Sequence, residues 1–115
     1  MKSVPSFSST REAGNLVFVS GQIAFNADGV VDGGVAEQTQ RCIDGLEVAL
    51  RPLELDLADI VKTTVFLTDP ADFAEFDQAY RSRFPSNPPV RSTVVASLVI
   101  PGARVEIDCV AHLRD

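Results

Sequence analysis

Two side chains in this 115-residue sequence stand where they could do chemistry. Arg91 follows a diproline in Asn87-Pro88-Pro89-Val90-Arg91-Ser92-Thr93, and Glu106 lies inside Arg104-Val105-Glu106-Ile107-Asp108. Each proline locks its own φ and biases the preceding residue toward an extended path, so the chain behind them is aimed with little freedom left. A guanidinium aimed in this way suits a carboxylate, although a solvated strand end has the same appearance. Around Glu106, Val105, Ile107, Cys109, Ala111 and Leu113 alternate with Arg104, Glu106, Asp108, Val110 and His112, the period of a strand. Taken by itself, the second set reads as a solvated charged face. If that face is covered, Glu106 is a partly buried carboxylate in need of a partner.

Other catalytic arrangements are poorly served. His112 is the single histidine and has no serine or cysteine nucleophile motif beside it, so an ordinary strand-end role fits it best. No metal-ligand spacing, P-loop or dinucleotide fingerprint occurs, and no cofactor is expected. Gly21, in Ser20-Gly21-Gln22-Ile23, is either a bulge or a place where backbone meets a ligand.

The elements that must position these residues follow from hydrophobic period. Residues 15–25 are β-branched and aromatic; with turn residues at 26–29 and Val-Val-Asp-Gly-Gly returning, they predict a hairpin. From Val35 the period becomes helical, with Thr39, Cys42, Ile43, Leu46, Ala49, Leu50 and Leu53 in one stripe. Residues 59–69 predict a strand ending at Asp69, which caps a second helix begun by Pro70 and carrying Phe73, Phe76, Tyr80 and Phe84 on one face. Residues 91–100 and 103–113 predict two last strands around Pro101-Gly102. The order is β-β-α-β-α-β-β, an α+β domain spanning 1–115 with one mixed sheet and two helices on one face.

Two helices cover only one face, yet Leu16 and Phe18 oppose Val17 and Val19, and Val61 and Val65 oppose Ile60 and Phe66, all apolar. A second copy of the chain is the simplest cover, which predicts a homo-oligomer. Hydrophobic content of 45% supports a packed core, and Cys42 and Cys109 read as small buried thiols, consistent with a reducing cytoplasm. The net charge of −6, with scattered basic residues, argues against nucleic acid as a partner. No apolar run reaches the length of a membrane span or signal peptide, so a soluble cytoplasmic protein is expected.

The blocks Phe-Val-Ser-Gly-Gln-Ile-Ala-Phe-Asn (18–26), residues 57–80, Pro-Pro-Val-Arg-Ser-Thr-Val (88–94) and Arg-Val-Glu-Ile-Asp-Cys-Val-Ala (104–111) occur in this order. Together they resemble the reactive-intermediate deaminase (RidA/YjgF) family nearly end to end. The resemblance implies a chorismate-mutase-like fold, assembled as a trimer with sites in clefts between subunits. It also implies that Arg91 binds a substrate carboxylate, that Glu106 holds the attacking water, and that Ser20 and Gly21 line the cleft. Phe7, Thr93 and Asp77 stand where the family usually has tyrosine, frequently cysteine and often asparagine, so the pocket lining is expected to select its own substrate. The implied reaction is cofactor-free hydrolysis of 2-aminoacrylate-type enamines and imines to 2-oxo acids and ammonia. The alternatives are a non-catalytic trimer that binds a small carboxylate as a sensor or chaperone-like partner and, less favoured by the acidic charge, a ribonuclease.

Overall fold

The first hairpin turns earlier than the sequence suggests. In the computed structural model, which describes residues 5–115, Thr10–Ala13 (β1) and Leu16–Ile23 (β2) pair antiparallel across Gly14-Asn15. Gly14 takes φ 61°, a conformation that costs glycine nothing. The expected return at 30–34 is not a strand. Only one bridge, Phe25 to Val31, forms there, while Asn26 Oδ1 accepts from the backbone N–H groups of Asp28 and Val30 and closes the loop.

Val35–Leu50 (α1) ends where Pro52 forces a 3₁₀ turn over Arg51–Leu53, so the helical stripe is shorter than its apolar pattern. Ile60–Leu67 (β3) follows. Asp69 caps as expected, accepting from the Ala71 N–H at 2.9 Å, but the turn it caps is 3₁₀ (Pro70–Asp72) and the α-helix proper is Phe73–Arg83 (α2). The last strands are Val90–Val95 (β4) and Val105–His112 (β5). Residues 96–100 leave the sheet because β3, the partner of β4, ends at Leu67. The Ala96 N–H bonds to the Leu67 carbonyl, and among the described residues nothing continues the ladder beyond it.

The five strands run in the order β1-β2-β5-β3-β4, with β3 and β4 parallel and the other pairs antiparallel. Both helices lie on one face. The Gln38 side chain, fully buried on α1, donates to the Gly102 carbonyl and accepts from the Arg104 N–H at the mouth of β5. From α2, the Tyr80 hydroxyl bonds Thr63 of β3 at 2.8 Å. Between the layers sit Val17, Ile43, Leu46, Val65, Leu67, Phe76, Val105 and Ile107, all buried.

The other face is open in the single chain. Phe18 is 47% exposed there, Val61 44% and Val94 44%. A register irregularity between Ile60 and Lys62 turns Ile60 inward with Thr63, Val65 and Leu67, which corrects the grouping of Val61 with Val65. The two-sided apolar character expected of the sheet is therefore present, with different residues on each side. Among the described residues, no helix is long and apolar enough to cross a membrane.

Candidate functional site

Glu106 stands on the open face of β5, opposite Phe66 of β3 and Ile23 of β2. The antiparallel register between β2 and β5 slips by one residue between Val19 and Gln22, so a bulge at Ser20-Gly21 settles what that glycine does locally. A Cβ built on Gly21 would collide with the Glu106 carboxylate, so glycine here is what lets that carboxylate lie against the strand. Ser20 Oγ donates to the Ser8 carbonyl at 2.5 Å and the Ser20 N–H bonds the Ser9 carbonyl, fastening the segment that carries Phe7 beside the bulge.

These residues surround one cavity of about 530 Å³. Glu106, Ser20, Gly21 and Gln22 supply its polar wall, and Phe7, Ile23, Phe25, Val99 and Ile100 its apolar one. Glu106 forms no ion pair among the described residues. Burial raises its pKa above the ordinary 4.5, and the neighbouring Asp108 carboxylate pushes the same way. Asp108 is itself raised by burial, against opposing contributions from Lys62 and Thr64. Arg104, read from the sequence as a neighbour of Glu106 on its own face, instead forks onto Asp72 at 2.9 and 3.1 Å. Residue 104 precedes the strand, so its side chain is free to turn to the start of α2.

Arg91 belongs to the opposite face. It pairs in register with Thr63, whose side chain is buried against Tyr80, and its guanidinium lies over three rings of α2. The centroids of Tyr80, Phe76 and Phe73 are 4.8, 5.4 and 5.7 Å from it. Arg91 Nη1 donates to Asp77 Oδ1 at 2.8 Å, and Arg81 Nη2 donates to the other Asp77 oxygen at 3.0 Å. Those two bonds hold the Asp77 pKa below 3.8, against a smaller opposing effect of burial. Thr93 lies two residues beyond Arg91 on the same face, opposite Val65.

The structure therefore brings Phe7, Ser20, Gly21 and Glu106 together in one group and Arg91 and Asp77 in another, with Thr93 near the second. The two groups do not meet within one chain. Sequence reasoning missed the aromatic bed of Arg91, although it puts Phe73, Phe76 and Tyr80 on one face of the second helix. It also missed Val99 and Ile100, which were assigned to a strand. His112 shares a 3.1 Å hydrogen bond with the Asn15 side chain, as a strand-end histidine does.

Comparison with known proteins places this arrangement in context. The family profile described as Endoribonuclease L-PSP matches residues 1–113. Protein DfrA of Myxococcus xanthus is 38% identical over 102 residues, spanning 87% of this chain and 78% of that protein. The 2-iminobutanoate/2-iminopropanoate deaminase of Rattus norvegicus is 34% identical over 97 residues, 83% of this chain and 71% of that protein. The crystal structure of the YjgF gene product from E. coli superposes with a TM-score of 0.87 at 32% identity, covering 97% and 91% of the two chains.

Proposed function

The chain belongs to the endoribonuclease L-PSP family, which includes the YjgF and RidA proteins, and from that membership we propose that it is an imine deaminase. Its substrates in this reading are 2-imino acids and their enamine tautomers of the 2-aminoacrylate type. They are hydrolysed to 2-oxo acids and ammonia in a cytoplasmic setting, where the buried thiols stay reduced. The observation that carries it is Glu106, a half-buried carboxylate with a raised pKa in the wall of a mostly apolar cavity.

Arg91 grips the substrate carboxylate through parallel N–H donors. Glu106 takes a proton from water as the water oxygen attacks C2, and the C=N π electrons move onto nitrogen. Glu106 returns that proton to nitrogen. The C–N bond then breaks as the hydroxyl gives its own proton to Glu106 and its electrons form C=O, and the departing ammonia carries that proton away as ammonium. Positioned proton transfer of this kind contributes about 10²- to 10⁴-fold. The protonated imine is already electrophilic, so no step calls for a cofactor.

Because Arg91 and Glu106 leave opposite faces of the sheet, the reading requires a second copy of the chain to bring them together. We place the site in the cleft between subunits of a trimer, with the open faces turned inward and Phe7, Ser20, Gly21, Asp77 and Thr93 as its lining. The half-site around Arg91 supports a second reading, a carboxylate-binding trimer without catalysis. A ribonuclease role, the activity in the family's description, is disfavoured by the net charge of −6.

The experiment that separates these readings couples an amino acid oxidase to semicarbazide trapping of the imine released. A deaminase lowers semicarbazone formation in proportion to protein added. A binding module leaves it unchanged, and that result would overturn the proposal.

A further inference from the structure

Asp77 is the counter-ion of the arginine that the deaminase reading gives to the substrate. Arg91 and Asp77 are each 22% exposed as side chains and bonded at 2.8 Å, so much of their attraction is sheltered from water. The three rings of α2 already fix the plane of the guanidinium. Among the described residues Nη1 is the only guanidinium nitrogen of Arg91 in a hydrogen bond, which leaves one edge for one further carboxylate. The charges of the pair cancel. Arg81, the other cation bonded to Asp77, is 79% exposed and screened by solvent. Across the proposed cleft stands Glu106, with the Asp108 carboxylate two residues along the same strand, and most of the cavity wall is apolar.

We propose that Asp77 sets the charge selectivity of the site, admitting imino acids with a single carboxylate and an uncharged side chain and rejecting those with two carboxylates. The inference rests on the deaminase reading's assignment of the substrate carboxylate to Arg91. Its logic is differential. One anion satisfies the free edge of Arg91, whereas a second meets a carboxylate on either side: of the nearby cations, Lys62 bonds Thr64 and acts on Asp108, and Arg11 lies beyond Phe7 and Ser20, outside the cavity lining. Replacing Asp77 by asparagine keeps an oxygen for Arg91 Nη1 to donate to, while removing the charge.

The test is calorimetric titration of the whole protein with two products of the reaction class, 2-oxobutanoate and 2-oxoglutarate. The wild type is expected to bind the monocarboxylate more tightly. Asp77→Asn should strengthen 2-oxoglutarate about fivefold more than 2-oxobutanoate. Asp44→Asn, an equal charge change at a residue of α1 paired with Arg83 of α2, should leave the ratio alone. An unchanged ratio in Asp77→Asn, an equal change in Asp44→Asn, no preference in the wild type, or no binding of either probe would each overturn the proposal. Imine hydrolysis is measured separately, so an unmoved ratio in a protein that hydrolyses imines sinks the role of Asp77 alone.

Discussion

Arg91 and Glu106 point away from opposite faces of one sheet. Arg91 pairs with Thr63, and Thr63 in turn with Cys109, so the three share the face under the helices. Glu106 is out of phase with Cys109 by an odd number of residues and pairs with Phe66 on the open side. No rotamer change carries one side chain through the sheet to the other. Any chemistry that uses both must draw them from two chains.

The aromatic bed and Asp77 show how specifically Arg91 is held. Arg91→Lys keeps the charge but loses the planar fork, and it should be nearly as damaging as Arg91→Ala. Catalytic efficiency should fall about tenfold to a hundredfold in both. Because the native guanidinium is half-buried and ion-paired, Arg91→Ala should also cost about 1 kcal/mol in denaturant unfolding. Full activity in either variant would remove Arg91 from the site.

Gly21 does not take a left-handed φ, so alanine is compatible with the chain there, and the atoms nearest its methyl group belong to the Glu106 side chain. Gly21→Ala should therefore move the flexible carboxylate rather than unfold the bulge. Turnover should drop about tenfold to a hundredfold, as for a reacting group displaced by roughly 1 Å. The melting temperature should hardly change. A large loss of stability with normal specific activity would show the reverse.

Glu106 must be ionised to take a proton from water, so the acid limb of kcat/KM should have its midpoint above 4.5. Asp108→Asn removes a charge that raises it, and the midpoint should move down while remaining displaced by burial. For stability the sign is opposite. A raised folded-state pKa contributes stability below 4.5, lost as pH rises through the folded value, and Glu106→Gln should abolish that dependence while depressing turnover more than affinity. A limb at or below 4.5 would contradict the assignment.

Both thiols are buried and free, and burial pushes each pKa up to about 12. Cys42 and Cys109 should resist alkylation in the native protein, and both should be modified after unfolding without reductant, as mass spectrometry would show. A species in which neither reacts after unfolding would mean a disulfide.

The helices and the three long strands were legible because their periods are clean and their boundary signals strong: Asp69-Pro70 ends β3 and opens the turn into α2, and Val105 to Ala111 alternate along β5. The first hairpin was misplaced because two turn signals compete. Gly14-Asn15 is the tighter one, but the longer Asn26 to Gly29 cluster is more conspicuous, and only pairing with β5 decides between them. Arg91 and Glu106 were legible as residues, not as a geometry. That they face apart depends on register, since Arg91 pairs with Thr63 and Thr63 with Cys109, three residues from Glu106, and register is not written in either strand alone. Likewise the partnership of Arg91 with Asp77 joins residues 14 apart in sequence through the return of β4 beneath α2.

Light scattering should give a mass about three times the 12.4 kDa of the chain if three open faces close on one another. The most direct test of the account, however, is complementation between two impaired variants. Arg91→Ala and Glu106→Gln, each strongly impaired alone, should be co-refolded in equal amounts and assayed for imine hydrolysis. If each site takes Arg91 from one subunit and Glu106 from its neighbour, about one quarter of the interfaces in randomly mixed trimers carry both native residues. The account predicts recovery of about that fraction of wild-type activity. Variants that co-assemble yet stay at the activity of their separate parents would contradict it.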